Sequence, residues 1–193
     1  MSQPAVFLDR DGTINEQMGY VNHPSRFVLL PGAALGIRRL NESGFLAIVV
    51  SNQSGVARGY FPIDLVHEVH ELMQKELASR GAFLDGVFFC PHYPGGEVAE
   101  YAVECGCRKP KPGMIIEAES RFHIDMSRSY VVGDRFSDLE LAASRGLTGV
   151  LVETGYGLGD CLYVLPGKSI QPGHIAHDLE AAVQWILERE GAR

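Results

Sequence analysis

No run of apolar residues approaches the roughly 20 that a membrane-spanning helix requires. The start, Met1-Ser2-Gln3-Pro4, has neither the basic region nor the apolar segment of a secretory signal. The first apolar stretch, Ala5 to Leu8, ends at once in Asp9. A cytoplasmic protein without a membrane partner is the expectation. Long basic runs are missing too, and 17 Lys and Arg against 24 Asp and Glu leave a formal charge of -7. That balance argues against nucleic acid as the main partner. It leaves room for a phosphate held by local cations. Internal repeats, low-complexity segments and interdomain linkers are absent. Cysteine is scarce: Cys90, Cys105, Cys107 and Cys161 are all there is. Without a secretory signal, so few thiols fit a metal site better than a disulfide framework. No long apolar surface stripe stands out, which favours a monomer.

What is present suits one ordinary domain over residues 1–193. Hydrophobic residues make up 46% and charged residues 21%, the balance of a globular chain that buries its own core. Short apolar runs at Ala5–Leu8, Phe45–Val50, Val87–Phe89, Tyr130–Val132 and Gly149–Val152 read as strands. Between and after them, helical spacing covers Ala33–Asn41, Pro62–Arg80, Met114–Phe122, Ser137–Ser144 and Leu179–Glu190. Strand and helix in alternation imply an α/β fold, a parallel sheet covered on both faces. Two stretches fit neither pattern. Cys90 to Pro112 is a loop long enough to be functional or held by something. Gly155 to Gly173 is glycine-rich and reads as a surface excursion. His67 and His70 read as surface residues of the long helix, and His174 and His177 as a turn-to-helix pair. Cys161 has no evident partner.

In an open parallel sheet, ligands bind beyond the carboxyl ends of the strands. Asp9-Arg10-Asp11-Gly12-Thr13 follows the first strand, and Ser51-Asn52-Gln53-Ser54-Gly55 the second. Arg108-Lys109-Pro110-Lys111 precedes the third helix, and Gly133-Asp134-Arg135, with Asp138, follows the fourth strand. Crowded carboxylates repel one another unless a cation lies among them, and oxygen-only ligands favour magnesium. A carboxylate nucleophile such as Asp9 splits phosphate transfer into two easier steps. A second carboxyl, Asp11, can protonate the leaving oxygen and then activate water. Ser51 and Lys109 can hold the phosphoryl oxygens, with Lys111 the substitute if Lys109 is not the one. Asp138 reads either as a ligand or as a group supporting one. Capping of a turn and a helix is the simpler reading of Asp9 and Asp11 alone. The company of Ser51, Lys109 and Asp134 outweighs it. A small phosphorylated metabolite is the expected substrate.

The long loop carries Cys90-Pro91-His92 and then Cys105-Gly106-Cys107. Three thiolates and one imidazole make the closed set that structural zinc prefers. Such a site would stiffen the loop and fix Arg108 and Lys109, which follow a ligand directly. With all four positions filled by protein, zinc would have no catalytic part.

These motifs resemble those of the haloacid dehalogenase (HAD) superfamily: Asp9-x-Asp11-Gly-Thr, Ser51, Lys109-Pro-x-Pro, and Gly133-Asp134 with Asp138. Within it, residues 5–155 resemble the group of D-glycero-D-manno-heptose-1,7-bisphosphate 7-phosphatases and histidinol-phosphate phosphatases. Phe7 to Asn15, Gly19-Tyr20-Val21, Leu30-Pro31-Gly32, Ser51 to Gly55, Arg58-Gly59 and the cysteine loop into Cys107-Arg108-Lys109-Pro110 carry the likeness. The resemblance implies a Rossmann-like three-layer sandwich with a minimal cap and a zinc-bound loop. It implies Asp9 as nucleophile, Asp11 as acid/base, and Ser51 and Lys109 on the phosphoryl group. Magnesium would be held by the Asp9 and Asp134 side chains and the Asp11 carbonyl, and zinc by Cys90, His92, Cys105 and Cys107. Gln17, Gly19, Tyr20, Asn52, Gln53, Ser54, Arg108 and Arg135 fall where the group contacts substrate.

Two phosphatase substrates compete. A sugar bisphosphate has a second phosphate that needs a cation, which Arg108 and Arg58 supply. Histidinol phosphate would favour acidic or aromatic partners. The cations favour the heptose. A binding protein on an inactive scaffold is a third reading, opposed by the intact Asp9 and Asp11.

Overall fold

Four consecutive apolar residues make β1 (Ala5–Leu8), a strand buried on both faces. The computed structural model describes residues 2–191. Met1, Ala192 and Arg193, which the single-domain reading included, lie outside them. Parallel partners flank β1: β2 (Leu46–Asn52) on one side and β4 (Tyr130–Gly133) on the other. Beyond them lie β3 (Gly86–Cys90), β5 (Thr148–Val152) and β6 (His174–Ala176), giving the order β3-β2-β1-β4-β5-β6. This is the doubly wound order in which connections reverse direction between the two central strands.

Alternate residues of each strand face opposite layers. Val6 and Leu8 pack with α1 (Ala33–Glu42), α2 (Ile63–Ala78) and α6 (Leu179–Arg189). Ala5 and Phe7 pack with α3 (Gly113–Arg121) and α4 (Phe136–Ser144). The result is the three-layer α/β sandwich expected. Each expected strand and helix forms, with ends shifted by one or two residues. Val56, Phe61 and Val66 form a small separate cluster with Tyr20 packed against it.

Three expectations need correction. The Gly155–Gly173 stretch is not merely a surface excursion. It contains a helical turn, α5 (Gly157–Gly159), and a π turn at Asp160–Val164 that buries Asp160 and Leu165. His174 opens a sixth strand rather than a turn, and its ring stacks on Trp185 with centroids 4.7 Å apart. His70 is buried, not on the surface. Among the described residues, no helix is long and apolar enough to cross a membrane.

Candidate active site

The carboxyl ends of β1 and β4 lie side by side where the connections reverse, so Asp9 and Asp134 meet at one crevice. Two glycines allow the close approach. A Cβ on Gly12 or on Gly155, both at positive φ, would overlap the Asp134 carboxylate. Lys109, from the cysteine loop, enters between the carboxylates. Its Nζ lies 2.8 Å from Asp9 Oδ1 and 2.7 Å from Asp138 Oδ1, and all three side chains are buried. Asp9 Oδ1 also accepts the Arg10 N–H at 2.7 Å. Both contacts fall on Oδ1. Asp138 Oδ2 accepts the Arg135 N–H at 3.1 Å at the start of α4. Both Asp138 oxygens are therefore engaged, one of them in aiming Lys109.

Burial and the nearby Asp138 charge raise Asp9 to about 6 despite Lys109. Burial and the Asp9 charge raise Asp134 to about 8. Burial alone would lower Lys109, but the Asp138 and Asp9 charges outweigh it and hold the ammonium well above its usual range. Three carboxylates beside one ammonium leave the site short of positive charge. Asp134 Oδ2 accepts the Tyr156 N–H at 2.8 Å, while its Oδ1 is buried with no protein partner. A buried, unpartnered carboxylate oxygen is costly unless a cation or proton completes it. Asp9, Asp134 and Asp138 offer oxygens within 4.8 Å of one another. That all-oxygen donor set fits a hard divalent cation such as magnesium.

Asp11 has a different setting. Arg10 donates to both its oxygens at 2.8 Å, Asn15 to Oδ1 at 3.0 Å and Gln53 to Oδ2 at 2.8 Å. Burial pushes the carboxyl up, but Arg10 and the hydrogen bonds win and hold it below the usual carboxylate range. The group is therefore held as a carboxylate.

The cleft holds about 400 Å³. Its wall brings together Asp9, Asp11, Gln17, Gly19, Tyr20, Asn52, Gln53, Ser54, Arg108, Lys109, Asp134 and Arg135. Ser51, expected on the phosphoryl group, is not on the wall: it is fully buried, its Oγ accepting from Gln53 Nε2 at 2.8 Å. Arg58 is not on the wall; its guanidinium lies 3.9 Å from the centroid of the Tyr93 ring. Val21, Ser137 and Tyr156 also line the cleft, although none was expected to contact substrate. Tyr156 comes from the glycine-rich stretch and supports Arg135, whose guanidinium lies 4.6 Å from its ring centroid. Nothing in the local sequence of that stretch signalled it.

The cysteine loop converges as expected. Cys90 Sγ is 3.5 Å from Cys105 Sγ and 3.7 Å from His92 Nδ1. Cys107 Sγ is 3.4 Å from both Cys105 Sγ and His92 Nδ1. Four ligands bound tetrahedrally at about 2.1 to 2.3 Å from zinc stand about 3.6 to 3.8 Å apart, so the donor set fits. The loop is tied to the cleft: Asn52 accepts from Lys109 N–H at 3.0 Å and donates to its carbonyl at 3.2 Å. Arg108 donates to the His92 carbonyl at 3.3 Å. Lys111 pairs with Glu104 on the surface and stays out of the cleft, which leaves Lys109 as the lysine of the site.

A family model described as HAD-hydrolase-like matches residues 106–182. A D-glycero-D-manno-heptose-1,7-bisphosphate 7-phosphatase of Thermosynechococcus vestitus is 47% identical, with 96% of each chain covered. The D-glycero-beta-D-manno-heptose-1,7-bisphosphate 7-phosphatase of Escherichia coli K12 is 42% identical over 96% of this chain and 89% of its own. A solved D,D-heptose 1,7-bisphosphate phosphatase from B. bronchiseptica, complexed with magnesium and phosphate, aligns with a TM-score of 0.83 at 33% identity. It covers 96% of this chain and 99% of its own.

Proposed function

The chain belongs to the D-glycero-D-manno-heptose-1,7-bisphosphate 7-phosphatase family of HAD-like hydrolases, and on that premise we propose that it removes the 7-phosphate of this sugar through a phosphoaspartate at Asp9. The observation that carries the reading is the placement of Arg108 and Arg135 on the same cleft wall as Asp9 and Lys109. A substrate with one phosphate at Asp9 has a second that needs a cationic partner, and a guanidinium matches phosphate in a bidentate way.

A carboxylate oxygen of Asp9 forms a bond to phosphorus while the bond to the sugar oxygen breaks. Lys109 offers its remaining hydrogen-bonding capacity to the phosphoryl oxygens, and Asp138 keeps it aimed. Asp11, which faces the cleft in this arrangement, gives the leaving oxygen its proton, which requires the carboxyl to be protonated first. As a carboxylate it then takes a proton from water, whose oxygen attacks phosphorus and releases Asp9. Asp9, Asp134 and the Asp11 carbonyl would hold magnesium, which when bound offsets the repulsion between the nucleophile and the phosphate. Ser51, buried behind Gln53, supports the cleft floor. Cys90, His92, Cys105 and Cys107 would hold zinc as a structural ion that fixes Arg108 and Lys109.

Phosphate release from heptose 1,7-bisphosphate and from histidinol phosphate, with and without magnesium, tests the reading. Preference for the bisphosphate with magnesium dependence is expected. Turnover of histidinol phosphate alone would assign the cleft to the other substrate, and turnover of neither would end the phosphatase reading.

A further inference from the structure

Arg10 is the largest fully buried side chain among the described residues, 1% exposed, and no step above uses it. A guanidinium only donates hydrogen bonds. Nη2 donates to both Asp11 oxygens at 2.8 Å and reaches Gln53 Oε1 at 3.2 Å, and Nε reaches Asp11 Oδ1 at 3.3 Å. Nη1 lies 3.2 Å from Nε2 of His70, sixty residues away on α2. Because arginine cannot accept, Nε2 must, and the ring is the neutral form with its proton on Nδ1. That ring is 5% exposed and meets Phe89 edge-on at 5.3 Å. A histidine that is buried, uncharged and packed is a rigid acceptor, and it fixes the far end of Arg10.

We propose that His70 and Arg10 are positioning residues for the second half of the reaction: His70 holds Arg10, and Arg10 holds the Asp11 carboxylate facing the cleft where attacking water gives up its proton. The inference rests on the reading of Asp11 as acid/base. In that step the water oxygen forms a bond to phosphorus, and the bond between phosphorus and Asp9 breaks. Asp9 leaves as a carboxylate, the water proton passes to Asp11, and inorganic phosphate is freed. Asp11 lines the cleft with its carboxylate held by Arg10, Asn15 and Gln53. Of these, only Arg10 grips both oxygens, and so sets the plane of the carboxylate.

The test uses the magnesium-loaded enzyme and an aryl phosphate, whose phenolate leaves without needing a proton. For such a substrate kcat/KM reports phosphoenzyme formation, and kcat is sensitive to phosphoenzyme hydrolysis. In His70→Leu, kcat is expected to fall at least about tenfold, with KM falling in step and kcat/KM within about twofold of the original. Phosphorylated enzyme should accumulate in rapid-quench mass spectra. His70→Gln, whose amide oxygen can accept from Arg10, should restore kcat. If His70→Leu does not fold, Arg10→Lys carries the same test, since one ammonium cannot span both Asp11 oxygens and His70. Parallel loss of kcat and kcat/KM without phosphoenzyme, or an unchanged kcat, overturns the inference. Asp11→Asn measured alongside separates the two readings. If it accumulates phosphoenzyme and His70→Leu does not, only the positioning role falls. If Asp11→Asn hydrolyses phosphoenzyme at the original rate, the role of Asp11 falls and this inference with it.

Discussion

Lys109 joins the parts of the site, because one buried ammonium meets both Asp9 and Asp138. Lys109→Met keeps much of the shape and removes the charge. Two buried carboxylates would then lose their charged partner, which costs about 3–5 kcal/mol when half of such a pair is removed. Urea unfolding should show a loss of that order, and phosphatase activity should fall at least about a hundredfold. Unchanged stability would mean that the carboxylates are not held as described. Arg108 tests the second phosphate. Arg108→Ala removes a charge-assisted contact worth about 1.5–3 kcal/mol, so KM for the bisphosphate should rise about ten- to a hundredfold. A substrate lacking that phosphate should be affected far less. An equal effect on both substrates would remove Arg108 from the second phosphate. His70 gives a pH signature. Burial and the Arg10 charge push it down to about 3 from an ordinary 6.5. Between those values the unfolded chain holds the extra proton, so stability falls as pH drops below about 6.5, by up to about 1.4 kcal/mol per pH unit from this group. Urea midpoints measured from pH 7.5 to 5 should fall less steeply in His70→Gln than in the original chain.

At the scale of elements, the cysteine loop governs the site from outside the sheet. Cys107→Ser should lower bound zinc measured by metal analysis. It should also raise KM, because Arg108 and Lys109 follow that ligand directly. Full zinc content in freshly purified Cys107→Ser, or none in the original protein, would contradict the loop's role. Most of these elements were legible in the sequence. β1, β2, β4 and β5 are apolar runs, the ends of β1, β2 and β4 carry the chemical residues, and the doubly wound order brings those ends together. What was not legible depends on distant packing. β6 is three residues long, at the sheet edge, with Ile175 exposed, so no apolar run announced it. The Gly155–Gly173 stretch reads as loop because its glycines mask the turn that delivers Tyr156. His70 was misread as a surface residue although it lies beside Val69 and three residues before Met73, within the buried stripe of α2. That spacing was the available signal. Its polar ring concealed the meaning, since the partner that satisfies it, Arg10, lies sixty residues away in the sequence. Asp11 was named for its chemistry, yet its grip by Arg10, Asn15 and Gln53 needed three dimensions.

Taken whole, the molecule concentrates negative charge at one sheet end and relies on a cation to balance it. Burial and Asp9 raise Asp134 to about 8, so below that pH a metal must displace a proton to bind. Apparent magnesium affinity should therefore weaken from pH 8 to pH 6 by on the order of tenfold or more. Calorimetric titration in two buffers of different ionisation heat should show protons released on binding. A flat affinity across that range would contradict the crowded carboxylate cluster. The central claim is that Asp9 takes the 7-phosphate. Phosphorus NMR of heptose 1,7-bisphosphate mixed with enzyme and magnesium tests it most directly. The account predicts that the C7 phosphate signal is replaced by inorganic phosphate while the C1 signal persists, and that Asp9→Asn leaves both signals untouched. Loss of the C1 signal first, or full turnover by Asp9→Asn, would contradict it.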